Sequence, residues 1–284
     1  MRNKTYSSDL SAKSWQSIEK LITVQRKSKW ELKAIVDSIL YLTKSGCVWR
    51  DLPRCFPPWP TVFWYFSKWT ADGTWKNISD CLIVDLREKV GKPVQPSVGI
   101  IDSQSVKNSP TATESTGIDG GKKLKGRKRF FLVAGTPVDT MGSLLDSFLV
   151  PANCYDGTTA LSCWDKLPVD NILLDNLRYV YADGTFGGQF KQGMDRQFEV
   201  SVIIPKVPIA KKGNVCIQKN RWIVERTIAW TVNNRRCVKD YERKTEHANA
   251  FLIIANIRRI VRKIYLKQLL RFLGTSHQKA ISLR

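Results

Sequence analysis

Three acidic residues in this sequence have the type and the setting of metal ligands. Asp102 ends an apolar run that begins at Val98, and Asp183 ends another that begins at Tyr179. Each run predicts a buried strand, and a carboxylate at the C-terminal end of such a strand faces the crevice where open α/β sheets place ligands. Glu225 lies in a cation-rich segment with a helical pattern. The three carboxylates can meet only through the fold.

Carboxylates of this kind suit one reaction class. Magnesium prefers carboxylate oxygens and needs only one or two of them, because phosphate oxygens of the substrate complete its shell. Two such ions, about 3.5–4 Å apart, activate an attacking oxygen and stabilise the leaving one in a phosphoryl transfer. We therefore expect two Mg²⁺ ions, for which Mn²⁺ can substitute.

Each acid also has a plainer interpretation. An aspartate after a strand is often the first residue of a turn or a helix cap. Glu225 stands near Arg221 and Arg226, so it could form a helix-surface ion pair. The residues by themselves leave both interpretations open.

The charge of the chain indicates its partner. It has 46 Lys and Arg against 25 Asp and Glu, which gives a net charge of +21. Such an excess attracts polyanions and favours nucleic acid over an anionic membrane surface. Lysines and arginines interrupt every apolar run, and the N-terminus lacks a secretory signal, so we expect a cytoplasmic protein. With the carboxylates, the charge predicts a nuclease or a strand transferase.

Two groups of cations are candidates for contact with DNA phosphates. The first is a basic run between the first and second acids, and a solvated loop is the alternative interpretation of it. The second accompanies Glu225. Asp119, just before the basic run, is a weaker candidate for the site. The first group is Lys122, Lys123, Lys125, Arg127, Lys128 and Arg129, and the second is Arg221, Arg226, Arg235, Arg236 and Lys239.

The elements that must position these residues fall into two regions. Helical spacing at 30–42 and aromatic residues over 49–75 predict a helical N-terminal region, and we favour the aromatics as core rather than as a base-stacking surface. A Gly/Pro-rich joint at 91–97 follows. Beyond it, strands alternate with helices and predict an α/β domain with a mixed central sheet. The predicted strands are 98–102, 129–133, 144–150, 179–183 and 199–204, and the predicted helices are 155–167, 220–236 and 247–270.

The pattern divides the chain into three parts. We expect residues 1–95 to form a small all-α domain for DNA binding or oligomerisation, residues 96–270 to form the domain that carries the three acids, and residues 271–284 to form a tail. Seven scattered cysteines, with no C-x-x-C pair and only two histidines, argue against a zinc site and a disulfide framework.

Four motifs in order carry a resemblance to a known family. From near residue 46 to near residue 265, the sequence resembles bacterial insertion-sequence transposases of the fourth and fifth families, whose catalytic acids are called DDE. The motifs are Ile101–Lys107, Gly117–Arg129, Tyr181–Gly188 and Trp222–Trp230, the last followed by Asn234–Arg236 and Lys239–Glu242.

The resemblance implies a ribonuclease-H-like catalytic domain. Asp102, Asp183 and Glu225 match its catalytic, metal-binding triad, and Arg221 matches a basic residue that helps hold DNA. Gln218 and Val232 stand where the fourth-family signature has Tyr and Lys, which makes the fifth family the closer one. Arg235 or Arg236 would then replace the missing cation.

The resemblance also implies the reaction and its partners. The protein would hydrolyse a phosphodiester at a transposon end, and the released 3′-hydroxyl would attack target DNA. The partners would be double-stranded DNA, which carries the terminal inverted repeats or the target, and a second subunit in a homodimer on DNA. The protein would be associated with the nucleoid in the cytoplasm. No membrane or small-molecule substrate is implied.

Two alternatives remain. The chain could be an inactive descendant that only binds DNA, or a metal-dependent nuclease that never joins strands. Residues 134–137 favour the first, because Gly135 and Pro137 would interrupt a central strand, distort it and reduce activity.

Overall fold

The computed structural model describes residues 5–23, 29–135, 141–168, 171–205 and 221–281, with side chains in the last range described from 222 to 264. The described residues form eight α-helices, six strands and three short 3₁₀ helices. Among them, no helix is long and apolar enough to cross a membrane.

The N-terminal region is helical, as predicted. Gly46 ends the second helix with a φ of 71°, a conformation that glycine adopts without strain. Phe66, Trp69 and Trp75 are buried, which confirms that the aromatic block is largely core, although Trp64 is 55% exposed. The helices are α1 (Ala12–Glu19), α2 (Leu32–Ser45), α3 (Trp59–Ala71) and α4 (Thr74–Lys89), with a 3₁₀ helix at Trp49–Asp51.

Six strands form one mixed sheet in the order β2-β3-β1-β5-β6, and β4 pairs with β3 beside β2. β1 pairs antiparallel with β3 and parallel with β5, which in turn pairs parallel with β6. This confirms the predicted α/β class with a mixed sheet. The strands are β1 (Val98–Lys107), β2 (Gly117–Asp119), β3 (Leu124–Ala134), β4 (Ser143–Pro151), β5 (Tyr179–Tyr181) and β6 (Ser201–Ile203).

The prediction that the first strand ends at Asp102 was wrong. β1 continues to Lys107, because Ser103 to Lys107 pair with Phe130 to Gly126 of β3. Asp102 therefore lies in the middle of the strand. The polar residues after Asp102 conceal this continuation in the sequence.

The predicted interruption at 134–137 can be followed only to Gly135, and the pairing of β3 with β4 shifts register between Leu132 and Val133. Ala134 is the last residue of β3 and still pairs with both Gly99 and Ser143. The backbone N–H of Gly135 then donates to the carbonyl of Val98 at 3.3 Å. Thr136 and Pro137 lie outside the described residues.

Helices cover the sheet. α7 packs on β1 and β3, and α8 packs on both β4 and α4. The sequence prediction missed α6, whose Gly193 lies so close to Leu161 of α5 that an added Cβ would stand 2.4 Å from a Leu161 methyl carbon. The helices are α5 (Asp156–Trp164), α6 (Gln189–Phe198), α7 (Arg221–Val232) and α8 (Thr245–Ile281), with 3₁₀ helices at Gly184–Phe186 and Arg235–Cys237.

The two regions share one hydrophobic core. Buried apolar residues of the N-terminal helices and of the sheet form a single cluster. The 3₁₀ helix at Arg235–Cys237 packs on α2, and Arg236 donates to the carbonyl of Cys47 at 3.0 Å. The joint predicted at 91–97 falls between α4 and β1. We keep it as a proposed boundary in the sequence.

Candidate active site

Two parallel strands position the first two acids. The β1–β5 ladder pairs Val98 with Tyr179 and ends at the pair of Ile100 and Tyr181. Asp102 lies two residues further along β1, and Asp183 lies two residues beyond the end of β5, where the backbone is still extended. Because side chains alternate along a strand, residues two apart belong to the same face. The register thus brings the backbone of Asp102 and the turn of Asp183 to the same end of this ladder.

The surroundings of the two aspartates differ. Asp102 is buried, and its Oδ1 accepts a hydrogen bond from the N–H of Ser103 at 2.8 Å. Asp183 is half-buried and caps the 3₁₀ helix that follows β5, since its Oδ1 accepts the N–H of Thr185 at 2.9 Å and the Thr185 hydroxyl as well. The capping role considered for Asp183 is therefore real, and it fixes one carboxylate oxygen.

The third acid lies on the helix that covers this face. Glu225 is exposed on α7. The neighbouring Ile223 is buried and packs near Ile100 of β1, since a Cβ added to Gly135 would lie 3.0 Å from one and 3.3 Å from the other. Ile100 belongs to the same face of β1 as Asp102. The structure thus places α7 over the Asp102 face.

The donor set fits a hard cation, because all three side chains are carboxylates. In the part of the chain that the structure describes, no three His, Cys, Asp or Glu side chains are gathered closely enough to hold an ion. The fold brings the elements of Asp102, Asp183 and Glu225 to one face but does not close the three carboxylates around a metal.

Half of the predicted basic run is buried, so the prediction that this half contacts DNA phosphates was wrong. Arg127 and Arg129 lie inside the protein, with 0% and 1% exposure. Arg127 donates to the carbonyls of Glu114, Glu242 and Arg243 at 2.6–2.9 Å. Burial lowers the pKa of Arg127 despite the nearby carboxylate of Asp240. These bonds use four of the five N–H donors, and the buried side chain does not present its charge to phosphate.

The other buried cations are also held internally. Arg129 pairs with Asp240 and donates to the carbonyl of Cys237 at 2.6 Å. Arg236 is buried against Glu242. Arg129 and Arg236 were predicted to bind DNA, but they form ion pairs and hydrogen bonds inside the protein instead.

Lys128 is a fourth such case. Its ammonium donates at 2.6 Å both to the carboxylate of Asp156 and to the carbonyl of Cys154. The lysine is buried, so it does not present its charge to DNA. Sequence reasoning missed Asp156 altogether, although it opens α5 directly after Tyr155.

The remaining cations keep access to solvent. Lys122, Lys123, Lys125 and Arg235 are exposed, and Lys239 is half-buried. The side chain of the predicted DNA-binding residue Arg221 lies outside the described residues.

Arg226 is stacked between two tryptophans of its own helix. Its guanidinium carbon lies 4.4 Å from the ring centroids of both Trp222 and Trp230. Burial lowers the pKa of Arg226. Burial and the charge of Arg226 together lower the pKa of Arg259 to about 10.

Asp119 lies beside the opposite face of β1. Its carboxylate accepts the hydroxyl of Ser105 at 2.5 Å and the N–H of Lys122 at 3.0 Å. These bonds lower the pKa of Asp119, the Ser105 hydroxyl most of all. Ser105 is an odd number of residues from Asp102, so the two point to opposite faces. Asp119 therefore orders the turn before β3 rather than joining the carboxylates.

Comparison with known proteins gives two family matches. A family model described as a transposase DDE domain matches residues 93–257, more than half of the chain. A second model, whose description names a transposase of the IS4/5 family, matches residues 10–79. No curated protein and no solved structure matches the chain.

Proposed function

The chain belongs to the family of transposases with a DDE domain, and from that premise we propose that it cuts DNA at transposon ends and joins them to a target. Its mixed sheet with an all-helical region before it is consistent with a ribonuclease-H-like fold. The observation that supports the proposal is the β1–β5 register, which sets the strand of Asp102 beside the strand that leads to Asp183, while the helix of Glu225 packs on β1.

Each acid has a proposed role. Asp102, Asp183 and Glu225 would hold two Mg²⁺ ions, with Mn²⁺ as a substitute. When bound, such ions activate the attacking oxygen and stabilise the leaving one. Asp102 would be the rigid ligand, because it is buried in mid-strand. Glu225 is exposed and would bind the ions from the side that faces solvent.

The order of the reaction follows from its chemistry. Water attacks the scissile phosphorus, the P–O bond to the 3′-oxygen breaks, and that oxygen leaves as a 3′-hydroxyl. The hydroxyl then attacks a target phosphodiester and displaces a 3′-oxygen there. No covalent bond to the protein is needed at either step.

The exposed cations would bind the DNA backbone. Lys122, Lys123 and Lys125 cluster at the turn into β3 and its first residues, and Arg235 lies beyond α7. The helical region would help recognise the inverted repeats. Both ends must be joined together, so we propose a homodimer on DNA.

The first prediction tests the triad. Purified full-length protein should nick a duplex carrying the element's own end with Mg²⁺ and not with EDTA. Asp183→Ala should reduce nicking at least about 1000-fold, because a lost metal ligand removes several kcal/mol of transition-state stabilisation. The same should hold for Asp102→Ala and Glu225→Ala, while DNA binding persists. Nicking is followed on denaturing gels.

A surface acid on α4 provides the control: Asp85→Ala should nick at the wild-type rate. Retained nicking in any triad variant would remove that residue from the site. Tight binding by the wild type without cutting would instead indicate a DNA-binding descendant. Nicking without joined products, tested with a target plasmid, would indicate a nuclease.

A further inference from the structure

One carboxylate links the strand of Asp102 to the turn of Asp183. Asp156, the first residue of α5, accepts a hydrogen bond from the Ser103 hydroxyl at 3.1 Å and another from the Thr185 hydroxyl at 3.2 Å, both at Oδ2. Ser103 follows Asp102 in β1, and the Thr185 hydroxyl lies between Asp156 and Asp183, so its single proton is shared by the two carboxylates. Asp156 thus connects the neighbours of both aspartates.

The other oxygen of this carboxylate is anchored to a third strand. Lys128 of β3 donates to Asp156 Oδ1 at 2.6 Å. The same ammonium donates to the carbonyl of Cys154, two residues before Asp156, also at 2.6 Å. The lysine therefore fixes both the carboxylate and the backbone that leads into α5.

The backbone beside Asp156 is shaped for close approach to the turn. Gly157 is buried, and a Cβ added to it would lie 3.1 Å from the carbonyl oxygen of Thr185 and 3.6 Å from that of Gly187. The first of these distances is tighter than ordinary van der Waals contact. A larger residue at this position would push α5 away from the turn.

The β1–β5 ladder does not make this connection itself. It has three pairs and ends at Ile100 and Tyr181, two residues before each aspartate. Beyond that point the two strands need another connection to keep a fixed separation. The hydrogen bonds from Ser103 and Thr185 to Asp156 supply it.

We propose that Asp156 is a positioning residue, which holds the strand of Asp102 and the turn of Asp183 at the spacing that a shared divalent cation requires. The role of the cation rests on the proposed function. The positioning itself is a property of the protein without metal. Groups that hold metal ligands in place typically change metal affinity 10–100-fold when they are removed.

The experiment compares Asp156→Ala with wild type in two measurements that do not depend on turnover. Binding of Mn²⁺ alone is followed by electron paramagnetic resonance, and amide hydrogen exchange of the 182–188 peptide is followed by mass spectrometry in EDTA. We expect Asp156→Ala to weaken Mn²⁺ binding at least about tenfold. Exchange of 182–188 should be about tenfold faster, since the turn has lost its tie.

The matched control is Asp37→Ala. Asp37 is also buried, pairs with Lys33 at 2.6 Å and accepts the N–H of Leu10 at 2.8 Å, but it belongs to the helical region. Its loss should destabilise the protein without a specific change in Mn²⁺ affinity or in the exchange of 182–188. An equal change in both variants would mean that general loosening is the cause, and the positioning role would be rejected.

A milder variant guards against misfolding. Ser103→Ala removes one of the bonds to Asp156 and leaves the ion pair with Lys128. We expect about a fivefold loss of Mn²⁺ affinity, the size of one net hydrogen bond. Wild-type affinity and wild-type exchange in both Ser103→Ala and Asp156→Ala would overturn the proposal.

Asp183→Ala separates this inference from the proposed function. If Asp183→Ala binds Mn²⁺ as wild type does, the metal site proposed above is wrong. The exchange of 182–188 in Asp156→Ala then still decides whether Asp156 holds the turn.

Discussion

The two halves of the basic run 122–129 have opposite environments. Lys122, Lys123 and Lys125 are exposed, whereas Arg127, Lys128 and Arg129 are buried. The buried half has partners from distant parts of the chain, such as Asp240, or from α5. A run of like charges in a sequence therefore need not form one surface. What decides the role of each cation is whether a distant acceptor reaches it.

The same contrast recurs between two neighbours. Arg235 is exposed, while Arg236 is buried, pairs with Glu242 and binds the carbonyl of Cys47. Arg235 is thus available to a ligand, whereas Arg236 connects the helical region to the sheet region.

The largest expected effect is on a buried pair. Arg129→Met should destabilise folding by about 3–5 kcal/mol, because Asp240 would lose its closest cation inside the protein. Urea denaturation measures the difference. Lys125→Met, in the same strand but exposed, should change stability by less than about 0.5 kcal/mol. Similar losses of unfolding free energy in the two variants would contradict the difference between the buried and the exposed half of the run.

A partly buried pair should show an intermediate effect that depends on pH. Lys76 of α4 lies 2.6 Å from Asp80 and 3.6 Å from Asp146. Burial, only partly offset by Lys76, raises the pKa of Asp80 from 3.8 to about 6. The folded protein thus takes up this proton at a higher pH than the unfolded chain does. The contribution of Asp80 to the free energy of unfolding is therefore greatest below pH 4, and it is lost as the pH rises to about 6.

Asp80→Asn should remove this loss. From pH 4 to pH 7 the wild type should lose up to about 3 kcal/mol of unfolding free energy that Asp80→Asn does not lose. Urea denaturation across this range is the measurement. Asp85→Asn, which removes an exposed pair of the same spacing with Lys89, controls for the loss of an ion pair. Parallel stability curves for Asp80→Asn and wild type would contradict the assignment.

The exposed half of the run should affect binding instead of stability. Replacing Lys122, Lys123 and Lys125 by alanine should weaken DNA binding by about 1–3 kcal/mol, if each contact resembles an exposed ion pair. The slope of log affinity against log salt should fall by about 3, because three phosphate contacts are lost. Filter binding at several salt concentrations tests both. An unchanged slope would show that these lysines do not contact phosphate.

The smallest expected effect concerns Arg235. Arg235→Ala should reduce the salt slope by about 1 with little change in stability. Arg236→Ala is its matched partner and should destabilise the protein, since Glu242 would be left buried without its cation. If the two variants exchanged these phenotypes in binding and denaturation assays, the burial argument would fail at this point.

Local sequence patterns predicted most elements and missed their ends. The helical repeat that includes Ile35, Val36 and Ile39 predicted α2 because those residues form the buried face. The end of β1 could not be predicted, since Ser103 and Ser105 stay in a strand through pairing with β3. Pairing partners are set by topology, which hydrophobic periodicity does not report.

The candidate site was predictable in part for the same reason. Asp102, Asp183 and Glu225 stood out through their motifs. Asp156 did not, because its role depends on Ser103, Lys128 and Thr185, which come from three separate elements. Residues whose importance lies in contacts across the fold leave little trace in a single sequence.

The placement of α8 has a consequence for how the chain is made. The final described helix packs on both α4 and β4, so it completes the core of the first region as well as that of the second. A ribosome that adds about 5–20 residues per second needs roughly 10–30 s to pass from Lys89 to Thr245. During that interval the apolar face of α4 has no α8 to cover it. We expect the nascent chain to need a chaperone in this period, and a prematurely terminated product to be degraded rather than to survive as a separate N-terminal fragment.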